Sequence, residues 1–359
     1  MKKIRKCFLV LIFLVLIISG CVAQTREYNS LETVSRYLSE TSGGNSVDNP
    51  LPLKVNIDLQ NMLADESGWK KLLRIINTQG KYIALDLSNS RMSITEFNPD
   101  SKFEIGKKYI VSLILPKITE TITPTENGWD SRGRFFSSPS FKYFENLTLT
   151  ISENVTLIDY PGFGSCSSLK SVTFSKGSKL NRIDDLAFYA CSNLVSIIIP
   201  ASVTSIGTTA FTGSPKLANV IFETGSKLEI IEQQAFSGCT SLENIEIPSS
   251  VTSIGLGAFQ GTGFMSVIIP ANVTSIGRWA FSDCSNLVSV TVLAVEPPEL
   301  DWGVFTIEQV ITRNHFGLPE SVSFLRNPVL EAIFVPAESV DAYKVAENWK
   351  EYSDLIKAK

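Results

Sequence analysis

Cysteine and histidine are the side chains in this sequence best suited to metal binding or nucleophilic chemistry. The chain contains six cysteines and one histidine. Four of the cysteines occupy one position of a repeating pattern, at Cys166, Cys191, Cys239 and Cys284. A zinc site needs several ligands that converge on one point. Equivalent positions of stacked repeats instead lie in a row, about 4.8 Å apart, so these four cysteines predict no metal site.

A disulfide between two of these cysteines remains open on spacing alone. The intervening repeats carry Ser214 and Thr262 at the cysteine position, so only Cys166 and Cys191 lie in adjacent repeats. Bridged cysteines need Cα atoms within roughly 7 Å, whereas the other neighbouring cysteines are two repeats, or about 10 Å, apart. The pattern allows two outcomes: four buried thiols in a ladder, or one bridge between Cys166 and Cys191.

The single histidine, His315, offers no second route to catalysis. A hydrolytic triad needs a nucleophile, a base and an orienting acid in convergent geometry, and the sequence has no Gly-x-Ser-x-Gly or His-Glu-x-x-His arrangement. Gly207, Gly255 and Gly277 recur at one turn position and do not form a phosphate-binding loop. We therefore expect no cofactor and no metal, and a protein that is not an enzyme.

The cysteines belong to a repeat whose strongest marker is phenylalanine. Six phenylalanines recur every 22 to 25 residues, at Phe163, Phe188, Phe211, Phe236, Phe259 and Phe281. In five of these six units a leucine lies six residues further on, and the alternating apolar residues that follow are typical of a short strand. Pro200, Pro248 and Pro270 end three of the strands, because proline cannot donate to a β ladder. The period falls within the range of leucine-rich repeats.

Each unit is too small to bury its own apolar residues, so the units must stack. Stacking aligns Leu, Ile and Phe into a continuous core and places the strands in one curved parallel sheet. The pattern predicts a leucine-rich-repeat solenoid over residues 81–340, with its first strand at Tyr82–Leu87 and an irregular segment at 297–327. A weaker copy, with Phe141 six residues before Leu147, extends the repeat upstream.

The two ends of the chain lack the repeat and are expected to cap the stack. Residues 21–52 are predicted to form a tether and linker that includes a helix over Glu32–Glu40. Residues 53–80 are predicted as a helical N-terminal cap, with its helix at Asp58–Asn77, and residues 341–359 as a C-terminal capping helix. Terminal repeats need such covers because their outer faces meet water.

Alternation along the strands predicts which side chains face solvent. If Ile197 and Ile199 point into the core, Ser196 and Ile198 point outward, because successive strand residues face opposite sides. The same register defines the outer sheet face: Ser112, Ile114, Thr148, Thr150, Ser171, Thr173, Ser196, Ile198, Asn219, Ile221, Asn244, Glu246, Ser266, Ile268, Ser289 and Thr291. A contiguous, nearly uncharged surface with exposed isoleucines is typical of a binding site. The alternative is that Ile and Thr are there for β-propensity alone.

The first residues predict export. Four basic residues precede an apolar run, Phe8–Ile18, and a small-residue junction follows, which together indicate a signal peptide over residues 1–20. The run is shorter than the roughly 20 residues of a transmembrane helix. Ile18–Cys21 resembles the lipobox of bacterial lipoproteins. That resemblance implies acylation of Cys21 and a lipid anchor in a bacterial membrane, with the outer membrane and cell surface as the expected location.

Charge argues against a nucleic-acid partner. Loss of residues 1–20 removes four basic residues and leaves 28 basic against 36 acidic residues. Proteins bind phosphate backbones largely through clustered Lys and Arg that release counterions. No basic run remains in the mature chain, so we expect no binding to nucleic acid.

The repeat resembles that of the BspA-like family of bacterial leucine-rich-repeat surface lipoproteins. The family pattern is Ile-Gly-x-x-Ala-Phe-x-x-Cys-x-x-Leu-x-x-Ile-x-Ile-Pro, and Ile183–Phe222 and Ile231–Ile254 follow it nearly throughout. Val335–Tyr343 is similar to a common ending of the family. The resemblance implies a right-handed solenoid, surface exposure and attachment to host matrix proteins, host cells or other bacteria. The shortened unit at Gly261–Phe264 departs from the pattern.

Two functions are compatible with these features. The first is an adhesion or interaction module that binds a protein or glycan on a host matrix, a host cell or a neighbouring bacterium through the outer sheet face. The second is a structural envelope protein without a host ligand, which self-associates through the same face. Neither function requires a convergent acid, base and nucleophile.

Overall fold

The computed structural model describes residues 26–92, 96–97, 104–117, 119, 121–122, 126–129, 135–138, 144, 147–158, 162–313 and 319–359. The predicted signal peptide, Cys21, Phe141 and His315 lie outside these described residues.

The repeats build a leucine-rich-repeat solenoid whose strands pair in parallel. The first main sheet has eight strands: Glu27–Tyr28, Leu51–Val55, Ile83–Asp86, Ile110–Ile114, Leu147–Ile151, Leu169–Phe174, Ser196–Ile199 and Asn219–Phe222. The second main sheet has four: Ser266–Ile269, Ser289–Val292, Ala332–Val335 and Ile356–Ala358. Pro200 and Pro270 directly follow strands, as the missing N–H of proline requires.

The first main sheet begins earlier than the sequence indicates. Leu51–Val55 pairs with Ile83–Asp86, and Glu27–Tyr28 pairs with Leu51–Val55. Two strands therefore precede the expected first strand, and part of the expected linker belongs to the sheet. The strand forms at Pro52 because Leu51 and Leu53 alternate with it into the core while Pro52 faces solvent.

The strands do not form the single sheet that the repeat predicts. Between Asn219–Phe222 and Ser266–Ile269, the coil at residues 242–248 forms no strand, and this gap divides the two main sheets. The shortened unit Gly261–Phe264 follows directly after this coil. The irregular spacing of neighbouring coils thus accompanies the loss of regular strand pairing.

A narrow sheet of two-residue strands lies elsewhere on the same coils. Its six parallel strands are Arg182–Ile183, Ser205–Ile206, Ile230–Ile231, Ser253–Ile254, Ser275–Ile276 and Glu299–Leu300. A shorter parallel sheet joins Glu96–Phe97, Thr121–Ile122 and Leu157–Ile158. Coils that contribute to both a main sheet and the narrow sheet thus contact their neighbours through the backbone in separate places.

The anchor phenylalanines stack in a continuous row through the core. Ring centroids of successive anchors from Phe163 to Phe281 are 5.0 to 5.4 Å apart. Phe305 continues the row at 5.7 Å from Phe281. The predicted stacking is confirmed, and Phe305 adds a seventh anchor inside the segment that the sequence left irregular. Val304 replaces the usual alanine before it, which hid the match.

The cysteine position joins each coil to the one before it. The thiols of Cys191, Cys239 and Cys284 donate to the carbonyl oxygens of the preceding anchors Phe163, Phe211 and Phe259, over 3.1, 3.4 and 3.2 Å. Ser214 makes the equivalent bond to Phe188, over 3.3 Å. A small donor at this position satisfies a buried carbonyl, which explains why serine can replace cysteine.

The N-terminal region contains two helices, α1 (Leu31–Glu40) and α2 (Gly68–Gln79). Helix α2 begins ten residues later than the sequence indicates. The Ser67 side chain accepts from the Lys70 N–H and caps the helix there, while Asp58 forms an isolated parallel bridge with Arg91. The buried face of α2 includes Trp69.

The C-terminal residues form more than the single helix that was expected. Helix α3 (Val340–Val345) is followed by a 3-10 turn at Trp349–Tyr352 and by the edge strand Ile356–Ala358. The Tyr343 hydroxyl donates to the Ala294 carbonyl over 2.8 Å, and the Trp349 indole donates to the Pro298 carbonyl over 2.8 Å. These bonds attach the segment to the last coils.

Other described elements lie in the insertions. The expected irregular segment contains an antiparallel hairpin, Thr306–Arg313 with Pro319–Arg326. A second hairpin pairs Glu126–Trp129 with Phe135–Ser138. Short 3-10 turns occur at Lys107–Tyr109 and Ala337–Ser339. Among the described residues, no helix is long and apolar enough to cross a membrane.

Candidate interaction surface

Burial separates the two sides of the main strands as the alternation predicts. Ile197 and Ile199 are fully buried, whereas Ile198 between them is half-buried on the solvent side. None of the sixteen residues of the outer sheet face is buried. The structure therefore places all sixteen on the side away from the core. That this surface binds a partner stays a prediction.

Strand register brings the outer sheet face into columns. Ser196 lies opposite Asn219, and Ile198 lies opposite Ile221. In the second main sheet Ile268 lies opposite Thr291. Residues that are far apart in the chain thus become neighbours, because each coil repeats the same register.

The part of the outer sheet face nearer the N-terminus is a ladder of hydroxyl groups. The Ser171 hydroxyl donates to the Thr148 hydroxyl over 3.2 Å. The Thr150 and Thr173 hydroxyls lie 3.1 Å apart in a second hydrogen bond. These groups are half-buried and bond partly to one another. They form an uncharged polar surface with hydrogen-bonding capacity left for a ligand.

The part of the face nearer the C-terminus is more apolar and more exposed. Ile268 is 54% exposed, whereas Ile198 and Ile221 are more deeply buried. The predicted isoleucine column is therefore uneven, with its greatest accessible apolar area at Ile268. An isoleucine side chain left in water forgoes about 1.5–3 kcal/mol of burial free energy, which makes this the part of the face where contact would stabilise a complex most.

The face is interrupted between these two parts. Asn244 and Glu246 are exposed, but they lie on the coil that forms no strand. The expected unbroken stripe is therefore two surfaces that meet at this coil. Glu246 is also the single charged residue of the sixteen.

The ionic contacts of the central coils lie on the narrow sheet instead. The Arg182 guanidinium contacts carboxylates of Asp184, Asp185 and Glu232 at 2.7, 2.8 and 2.9 Å. Glu232 belongs to a later coil, so this network joins coils across the narrow sheet. The two sides of the solenoid thus differ in chemistry, one charged and one nearly neutral.

A cavity that the sequence did not reveal adjoins the C-terminal part of the face. It has a volume of about 470 Å³ and is lined by Glu243, Gly263, Met265, Ser285, Asn286, Val288 and Val329. Three of its residues are exposed and apolar: Met265 at 53%, Val288 at 40% and Val329 at 39%. The one available signal was the shortened unit, where Met265 stands at the position of the usual leucine.

Family comparison agrees with this repeat geometry. A family model described as "BspA type Leucine rich repeat region" matches in six copies, over residues 134–227 and 221–296. Residues 134–296 thus resemble the repeat of this family in sequence. The matching family model describes a repeat region and not a catalytic centre. No curated protein matches the chain.

Solved leucine-rich-repeat proteins are similar to this chain. A leucine-rich-repeat protein of T. pallidum is 26% identical over 55% of this chain and 91% of its own, with a TM-score of 0.35. A leucine-rich cell surface protein of Faecalibacterium prausnitzii is 20% identical over 64% and 65%, with a TM-score of 0.32. A leucine-rich-repeat protein of Bacteroides ovatus is 19% identical over 63% and 63%, with a TM-score of 0.28.

The four cysteines of the repeats are free and buried. The structure thus has the thiol ladder and not the Cys166–Cys191 bridge. Burial raises the pKa of Cys166 and of Cys284 to about 11 and that of Cys239 to about 12. Burial also raises the pKa of Cys191 well above its ordinary value. Among the described residues, no group of His, Cys, Asp and Glu could hold a metal ion.

These four thiols are expected to resist alkylation in the folded protein. At pH 8 they stay protonated because desolvation disfavours the thiolate, which is the reactive form. Iodoacetamide should leave all four unmodified in native protein and should modify all four after unfolding without reductant. Mass spectrometry of the cysteine peptides measures both states. Protection of Cys166 and Cys191 alone in the unfolded, unreduced chain would instead establish the disulfide.

Proposed function

We propose that this chain is a cell-surface lipoprotein that binds a protein or glycan of a host matrix, a host cell or a neighbouring bacterium through its outer sheet face. The observation that carries the proposal is the nearly uncharged surface that includes Ile268, which is 54% exposed. Soluble proteins rarely leave contiguous apolar surface in water unless it serves an interaction. The BspA-type repeats support an interaction module, because repeat solenoids commonly bind partners along an extended sheet.

The proposal places the protein outside the cytoplasm without assigning it a reaction. The basic and apolar start of the chain supports export, and Cys21 supports lipid attachment to the bacterial membrane. Several acyl chains would hold the protein stably, whereas a single chain binds a bilayer only marginally. Non-catalytic binding fits a repeat family and the four protonated, buried thiols. The proposal includes no cofactor and no nucleic-acid partner.

The test is a charge substitution on the outer sheet face. Ile198→Lys, Ile221→Lys and Ile268→Lys are combined in one variant, which adds three cations to the centre of the apolar surface. We expect binding to host-matrix and cell-surface extracts to fall more than about tenfold, because each buried contact at an interface centre contributes on the order of 1–2 kcal/mol. Pull-down with quantitative mass spectrometry measures the loss.

A matched control carries the same kind of substitution away from this face. Ile230, Val295 and Val345 are exposed apolar residues outside the sixteen. Their replacement by lysine should leave binding unchanged, while circular dichroism stays native for both variants. Equal binding by the two variants would reject the outer sheet face as the binding site. Capture of further copies of this chain alone would favour the structural, self-associating alternative.

A further inference from the structure

The cavity beside the outer sheet face, here called the notch, arises from the loss of one residue in one coil. Two residues lie between Cys239 and the buried Leu242, whereas only one lies between Thr262 and the buried Phe264. The shorter path passes close to the preceding coil. A Cβ atom at Gly263 would lie 2.4 Å from the Thr240 carbonyl oxygen, so only glycine fits there.

The walls of the notch combine apolar area with one negative charge. Met265, Val288 and Val329 supply exposed apolar side chains. Ser285 and Asn286 supply oxygens that can accept hydrogen bonds. Glu243 is the single ionisable residue among the seven that line it.

The carboxylate of the notch is available to a ligand. Glu243 is exposed, and among the described residues no cation forms an ion pair with it. Glu246 adds further negative charge on the same coil. Beyond Val288, the exposed Glu331 directly precedes the strand Ala332–Val335, and its carbonyl accepts from Lys357. The notch therefore disfavours an anion and favours a cation with an apolar stem.

We propose that the notch receives a lysine or arginine side chain of a protein partner. The methylene groups of such a side chain pack against Met265 and Val288, as long basic side chains do when they cover apolar surface. The charged end then lies at the Glu243 carboxylate and donates to Ser285 or Asn286. The inference rests on the proposed function and refines it: Met265 of the notch directly precedes Ser266 of the outer sheet face, and a basic side chain as ligand makes the partner a protein.

Methionine methyl groups make the notch observable without knowledge of the natural partner. Met265 is 53% exposed, whereas Met62 and Met92 are buried at 3% and 7%. The full chain labelled with ¹³C in the methionine methyl groups is titrated with the peptide acetyl-Gly-Ser-Lys-Ser-Gly-amide. We expect a saturable shift of the Met265 signal, with the Met62 and Met92 signals unchanged.

Two comparisons isolate the charge. The same peptide with norleucine in place of lysine keeps the stem and loses the cation, and Glu243→Gln keeps the shape of the notch and loses the carboxylate. Each should weaken binding about threefold to fivefold, the range of a single exposed ion pair. Glu299→Gln, on the narrow sheet, is the matched control and should have no effect.

The outcomes separate this inference from the proposed function. No saturable Met265 shift, or equal affinity for the lysine and norleucine peptides, overturns the notch assignment. The peptide titration uses protein in which Ile198, Ile221 and Ile268 are unchanged. If the peptide does not bind but the triple lysine variant loses partner binding, only the notch assignment is rejected. If the peptide binds as expected but the triple lysine variant keeps its partner binding, the outer sheet face is rejected as the binding site instead.

Discussion

Phe236→Ala is expected to lower the free energy of unfolding by about 3–5 kcal/mol, the range for removal of a buried aromatic ring. Phe236 is fully buried and stacks between Phe211 at 5.0 Å and Phe259 at 5.4 Å. The neighbouring rings are fixed by their own coils and cannot close the cavity. Because each coil contacts only its neighbours, loss of this ring weakens the coupling between the two halves of the stack.

Urea unfolding followed by circular dichroism measures this effect. Phe222→Ala is the matched control, because Phe222 lies at the end of a main strand and is only partly buried. The control should lose distinctly less stability, since part of its ring already contacts water. A separate early transition in the Phe236 variant would show that the two halves unfold independently. Equal losses for the two variants would contradict a structural role of the phenylalanine row.

Gly255→Ala is expected to lower the free energy of unfolding by about 3 kcal/mol, the upper part of the range for overpacking. An added Cβ would lie 2.7 Å from the Gln233 nitrogen and 2.7 Å from the Glu232 carbonyl carbon of the preceding coil. These are backbone atoms and cannot rotate away. The two coils would have to move apart to relieve this clash. That movement would lengthen the 2.7 Å hydrogen bond from the Gly255 N–H to the Ile231 carbonyl, which holds the narrow sheet at that coil.

Thermal and urea unfolding again measure the change, and Gly225→Ala separates steric from conformational effects. Gly225 has a φ of +79°, and an added Cβ there would meet no atom within 4 Å. Its substitution should therefore cost only the strain of the left-handed conformation, about 1 kcal/mol. If Gly255→Ala were no more harmful than this control, the close approach of the two coils would not be a constraint on the sequence.

The same close approach explains why Gly207, Gly255 and Gly277 recur in the repeat. At Gly207 an added Cβ would lie 2.7 Å from the Asp185 nitrogen, and at Gly277 it would lie 2.6 Å from the Leu256 nitrogen. These glycines permit close contact between the backbones of neighbouring coils. This close approach is the physical reason for the structural role that the sequence predicts for the three glycines.

The repeat alone determined the core and the direction of the main-strand side chains. Residues with equal spacing, such as Phe188 and Phe211, must stack when coils of nearly equal length lie one above another. The two-residue period of a strand then places Ile197 inside and Ile198 outside. Both conclusions depend on local periodicity, which the sequence displays directly.

Only the tertiary structure decided how unlike coils fit together. The early strand at Leu51–Val55 and the gap at residues 242–248 depend on contacts with neighbours that share no repeat spacing. The bond from the Cys191 thiol to the Phe163 carbonyl crosses between coils in the same way. The notch exists because a coil that is one residue shorter lies between two longer coils. It forms between neighbouring coils, so the sequence of one repeat does not predict it.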